Sequence, residues 1–221
     1  MIRNFLRRPQ SGLEYLADAI RVLGAVSVVV AGIWGTGTDA GILAFVLPAL
    51  LIPRFIGVRA WFDTIYGATL LVAAWSNVAD LYAIVPGWDL AVHFVCTGVL
   101  VAVAYLALVD LGVLAEPGPE RTPARTPIVM ASSLALAVSA LWEMVEWFGF
   151  TFITDTIVVT YTDTIGDLVA GGLGGVCAGA MLAFVPLRRS DAVVRPAQSG
   201  DVDGRRAATA RFEPSDRAGA G

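Results

Sequence analysis

The sequence predicts an all-α, polytopic membrane bundle of about six transmembrane helices. Three observations carry this. The chain of 221 residues is 57% hydrophobic and only 15% charged, with mean hydropathy +0.71, too little polar surface for a water-soluble domain of this size. Long stretches such as 128–142 and 168–187 carry no charge, as expected where a bilayer is the solvent. The basic residues, all 15 of them arginine, fall in alternate connections between the apolar runs.

The spans are read at 14–34, 39–56, 61–82, 89–113, 126–149 and 164–186, each close to the length a hydrocarbon core of about 30 Å requires. The first follows Arg3, Arg7 and Arg8 as the apolar stretch of a signal peptide would. Asp18 and Arg21 interrupt it, and no small-residue cleavage motif follows, so we read an uncleaved span. Asp18 lies three residues before Arg21 and is placed to pair with it. The second is the weakest, because 41–53 is short and holds Pro48. It is expected to tilt, thin the bilayer or re-enter. The fourth, fifth and sixth are the most strongly apolar. Residues 1–13 form an N-terminal segment, 14–186 the membrane domain and 187–221 a disordered tail. That tail is rich in Arg, Asp, Ala, Gly and Pro and poor in large apolar groups.

Arginines precede the first span, join the second to the third (Arg54, Arg59), join the fourth to the fifth (Arg121, Arg125) and follow the sixth. The connections 35–38, 83–88 and 150–163 hold none. The positive-inside rule then puts both termini in the cytoplasm of a plasma (inner) membrane protein. No basic cluster with interleaved aromatics points to nucleic acid. Cys96 and Cys177 fall within apolar runs at different depths, so neither a disulfide nor a cysteine metal site is expected.

With this topology, the unusual polar residues gather in the outer half of the membrane. D-L-A-V-H places Asp89 and His93 one turn apart on the fourth span. L-W-E-M-V-E-W places Glu143 and Glu146 near the outer end of the fifth, Glu143 about 9 Å inside it. D-T-I-G-D places Asp163 and Asp167 at the outer start of the sixth. This half has no arginine or lysine, and only His93 offers a positive charge. Clustered carboxylates in low dielectric resist ionising together, so they require protons, water or a bound cation, and such residues in spans usually face a functional interior. Plainer roles compete. Asp89 and Asp163 fit helix starts, where a carboxylate meets free N–H groups, and a lone histidine is more often a satisfied core residue. Trp34, Trp75, Trp88, Trp142 and Trp147 suit an interfacial aromatic belt. Glu143 is the hardest to explain this way, followed by Glu146 and Asp167.

Asp163, Asp167, Gly171, Gly175 and Gly179 recur every four residues. Small residues at that spacing admit a neighbouring helix closely, which turns Asp167 into the bundle. The candidate site is therefore an outward-open pocket of His93, Glu143, Glu146 and Asp167, with Asp89 and Asp163 at its rim. His93, Glu143, Asp167, Asp163 and Asp89 suit a divalent metal such as Zn²⁺, Mn²⁺ or Mg²⁺. Equally, His93, Glu143, Glu146 and Asp167 suit acid/base chemistry without a metal.

The ordered set D-L-A-V-H (89–93), L-W-E-M-V-E-W (141–147) and D-T-I-G-D-L-V-A-G-G-L-G-G (163–175) resembles the YjdF-like inner-membrane protein family, and more distantly VanZ-like proteins, over roughly residues 60–186. The resemblance implies a polytopic bacterial membrane protein without a settled reaction. Its VanZ-like side, associated with glycopeptide resistance, implies a cell-envelope or lipid-linked substrate. Three uses remain open: a membrane enzyme on a lipid-linked or amphiphilic small molecule, a proton- or cation-coupled transporter, and a structural or accessory protein. Beyond the lipid bilayer, the sequence names no partner and no oligomeric state.

Overall fold

The computed structural model describes residues 1–154, 157 and 159–192. A one-turn helix α1 (Ile2–Phe5) precedes α2 (Gly12–Trp34), α3 (Gly37–Ile56) and α4 (Ala60–Val78). A second short helix, α5 (Leu81–Ile84), leads to α6 (Trp88–Asp110), α7 (Arg125–Phe152) and α8 (Tyr161–Phe184). Helices α2, α3, α6, α7 and α8 are each long and apolar enough to cross a membrane. The chain is an all-helical, multi-pass bundle.

Side-chain caps set the starts of α2, α3 and α8. The Ser11 hydroxyl accepts the N–H of Glu14, and that of Thr160 accepts the N–H of Asp163. Thr36 and Asp39 form a reciprocal capping box at α3. Pro48 does not break α3, which runs unbroken for 20 residues and stops where Gly57 turns left-handed (φ +78°). The expected short or re-entrant second span is thus a complete helix. The third span differs in another way. It ends at Val78 rather than at 82, because Asp80 takes a left-handed conformation (φ +54°), one an Asp tolerates better than most residues. Helix α4, which carries Asp63, Ser76 and Asn77, falls short of the apolarity that crossing a membrane requires, so five of the described helices qualify as spans where six were expected.

Two groups of helices pack side by side: α2 with α3 and α4, and α8 with α6 and α7. Among the described helices, α6 links them through its contacts with α4 and α3. The glycines of α8 explain its tight fit. A Cβ at Gly174 would stand 2.1 Å from the carbonyl oxygen of Phe94 on α6. One at Gly175 would stand 2.3 Å from the Ala135 Cβ, and one at Gly179 2.4 Å from the Ile128 Cα, both on α7. The small-residue stripe therefore meets α7, and Gly174 beside it meets α6.

The end of the bundle that holds the start of the chain is ordered by arginines. Arg21 pairs with Asp63 (2.6 Å) and Arg54 with Asp18 (2.6 Å), while Arg7 pairs with Glu14. Arg54 also donates to the carbonyls of Phe5 and Arg7. The described part of the expected tail starts inside this end. Leu187 and Arg188 are buried, Val58 and Arg188 form an antiparallel bridge, and Arg188 reaches Asp110 at 2.5 Å. Composition marks Arg188 as tail, but its partner lies 78 residues earlier. The rest of the expected tail, 193–221, lies outside the described residues.

Candidate carboxylate–histidine site

The acidic motifs meet at the opposite end of the bundle. Asp89 stands in the first turn of α6 and His93 one turn further in. Glu143 and Glu146 approach from α7, and Asp163 and Asp167 from the first two turns of α8. Because α8 lies so close to both α6 and α7, their side chains converge on His93. Its Nδ1 lies 3.1 Å from Asp167 Oδ1, and its Nε2 lies 3.7 Å from Asp89 Oδ1. Two sets of candidate ligand atoms share this ring, Asp89–His93–Asp167 and His93–Glu143–Glu146. Within each set the atoms lie within 4.8 Å of one another. Asp163 belongs to neither set and sits at the edge, its backbone N–H held by Thr160.

The burial is deep. Asp167 is 1% exposed, His93 7% and Glu143 9%. Among the described residues, both carboxylate oxygens of Asp167 and Oε1 of Glu143 are buried without a hydrogen-bond donor, although Asp167 faces His93 Nδ1. A proton on Nδ1 completes that bond. The tautomer is thus the variable that decides whether Asp167 is satisfied. The Thr164 side chain lies near the Glu143 carboxylate, and that of Trp142 near Glu146. No described arginine reaches this end: none occurs in 60–120 or in 126–187.

Three small residues form the floor, each one turn inward from a site residue. Thr97 follows His93, Ser139 precedes Glu143 and Gly171 follows Asp167. A Cβ at Gly171 would stand 2.1 Å from Ser139 Oγ and 3.2 Å from Thr97 Oγ1, so the missing side chain leaves room for two hydroxyls. Sequence reasoning missed Thr97, Ser139 and Thr164. The i±4 neighbours of His93 and Glu143 were the available signal. Two tryptophans of the expected belt also serve the packing. Trp75 and Trp88 donate inward, to Ser27 Oγ (3.0 Å) and Ser76 Oγ (2.9 Å), so these two indoles brace helices rather than merely sit at an interface.

No curated protein and no solved structure matches the chain. Residues 16–188 match the family described as predicted membrane protein (DUF2238), which is what YjdF-like denotes in general. The match covers the site and every helix from α2 to α8 apart from the first residues of α2. The chain belongs to this DUF2238 family of predicted membrane proteins.

Proposed function

We propose that the cluster is the working site of an intramembrane enzyme that holds a divalent metal and acts, at the outer face, on an amphiphilic envelope molecule. The observation that carries this reading is Asp167. Its carboxylate is 1% exposed, and among the described residues its close partner is His93 Nδ1 at 3.1 Å, at an end without arginine or lysine. Burying such a charge is costly unless it is compensated. A proton on His93 Nδ1 directed at Asp167 leaves the Nε2 lone pair for a metal, the arrangement in which a carboxylate orients a ligating imidazole. Asp89, Glu143 and Glu146 then supply oxygens. A bound divalent ion would polarise a carbonyl or activate water, and a remaining glutamate would move the proton.

Transport is the weaker reading. Between this cluster and the arginine end, the described interior is filled by Leu70, Val99, Ala102, Val103, Tyr66 and Tyr105, with no chain of carboxylates. The envelope-side substrate rests on the distant resemblance of these sequence motifs to VanZ-like proteins.

Purified protein, loaded with Zn²⁺ or Mn²⁺ and passed through a desalting column, is expected to retain about one ion per chain. His93→Ala and Glu143→Gln are expected to retain tenfold less, in line with the loss of a ligand or its support. Equal, near-zero retention in all three sinks the metal reading. The orientation is a separate expectation, with both termini cytoplasmic. In a Cys96→Ala, Cys177→Ala background, Thr160→Cys should react with an impermeant maleimide added to intact cells, and Glu120→Cys should not. The reverse pattern moves the site to the cytoplasmic face.

A further inference from the structure

The two helix groups leave a gap on the side of the site. No Cα of α7 comes within 8 Å of α2, α3 or α4, so side chains or lipid fill the space between α3 and α7. One described ring contact crosses it. Phe45 of α3 and Trp142 of α7 have centroids 6.4 Å apart, inclined at 47°. Both are exposed, Phe45 at 66% and Trp142 at 40%. Phe45 lies about 12 Å in from the start of α3 and Trp142 about 15 Å in from the end of α7 at ordinary helical rise. They are therefore near the depth of the cluster. Trp142 precedes Glu146 by one turn on α7, on the same face, and Glu146 belongs to the His93–Glu143–Glu146 set. The aromatic pair is thus the outer leaf of a door whose inner leaf is a ligand carboxylate.

What passes through such a door must be apolar along its length, because the flanking positions Leu141, Val145 and Phe148 are exposed apolar side chains in a bilayer. Its head must suit the site's charge. Five carboxylates outnumber the two charges of a divalent ion, and no arginine stands by to receive a phosphate. An ammonium head is attracted by the leftover carboxylates and by the faces of Phe45 and Trp142, whereas an anionic head is repelled.

We infer that the gap between α3 and α7 is a lateral portal, and that an amphiphile with an ammonium headgroup enters the site through it from the bilayer. This rests on the proposed enzyme site for its purpose, though its geometry does not require a metal. Rotation of Trp142 about its side-chain bonds opens the portal and uncovers the Glu146 carboxylate one turn away, which meets the ammonium group.

The test uses the full chain in nanodiscs of zwitterionic phospholipid and a dodecylamine carrying a diazirine in its chain. After photolysis, label is expected to concentrate in the peptides holding Phe45 and Trp142. Unlabelled dodecylamine should compete, and butylamine or dodecyl phosphate should not. Glu146→Gln should weaken the competed labelling about tenfold, as loss of a charge partner predicts. Trp142→Ala, which leaves every carboxylate in place, should weaken it severalfold, and Trp142→Phe should restore much of it. Label spread evenly over lipid-facing positions such as Val22 and Leu173, or competition by dodecyl phosphate equal to that by dodecylamine, overturns the portal. Metal retention measured on the same samples separates the two readings. Competed labelling without retained metal removes the metal and keeps the portal, and retained metal with uncompeted labelling does the opposite.

Discussion

Gly174→Val is expected to lower the stability of the bundle by about 3 kcal/mol, as forced overpacking does, and to empty the site in whatever folded protein survives. The reason is local. Even one added carbon would lie 2.1 Å from the Phe94 carbonyl oxygen and 3.2 Å from the Gly98 nitrogen. Both are backbone atoms, so no rotamer change relieves the clash and α6 must move away from α8. His93 is next to Phe94 on α6 and Asp167 lies about two turns from Gly174 on α8, so their 3.1 Å approach opens with it. Gly172→Ala is the control. Its nearest neighbour is the Leu136 Cδ2 at 3.2 Å, the end of a flexible side chain, so the cost should stay within about 1 kcal/mol. The measurement is the loss of monodisperse protein on heating in detergent, followed by metal retention on the remainder. A Gly174→Val protein as stable as Gly172→Ala would show that α6 and α8 do not touch there.

Arg188→Ala is expected to cost about 3–5 kcal/mol, the range for stripping one partner from a buried ion pair. Arg188 is 8% exposed and Asp110 2%. The guanidinium meets Asp110 Oδ1 at 2.5 Å and the Leu106 carbonyl at 2.6 Å, with Glu116 at 3.4 Å. Removing it leaves a buried carboxylate and a buried carbonyl unsatisfied. The double variant Asp110→Asn, Arg188→Met removes both charges and should recover most of the loss, because the pair itself contributes little once its desolvation is counted. Equilibrium unfolding of the two variants checks this. A loss below about 1 kcal/mol in Arg188→Ala would mean that water reaches the pair.

Much of this architecture is legible in the sequence because hydropathy and period act locally. The spans follow from uncharged runs, and the start of α8 is marked by Asp163, although the cap itself is Thr160 and the helix begins at Tyr161, three residues before the expected 164. The grouping of acids at one end needs only helical rise and the absence of arginine there. What the sequence hides depends on partners far along the chain. The break at Asp80 rests on one unusual backbone conformation. Arg188 looks like the first residue of a solvated tail until Asp110 is placed beside it. Phe45 and Trp142 are ordinary lipid-facing aromatics in their own helices, and only the gap between α3 and α7 makes them a pair. Ser139 and Thr97 are equally unremarkable until Gly171 brings them to one floor.

The proposed metal ion is held by His93 at this end of the bundle. Pulsed electron paramagnetic resonance of Mn²⁺-loaded protein reads it directly, because an imidazole nitrogen bound to Mn²⁺ modulates the echo. The wild-type chain should show the modulation of a single histidine nitrogen, and His93→Ala should lose it. With one histidine in the sequence, no other side chain can supply that signal. Mn²⁺ that binds to the wild-type protein without nitrogen modulation would contradict the account.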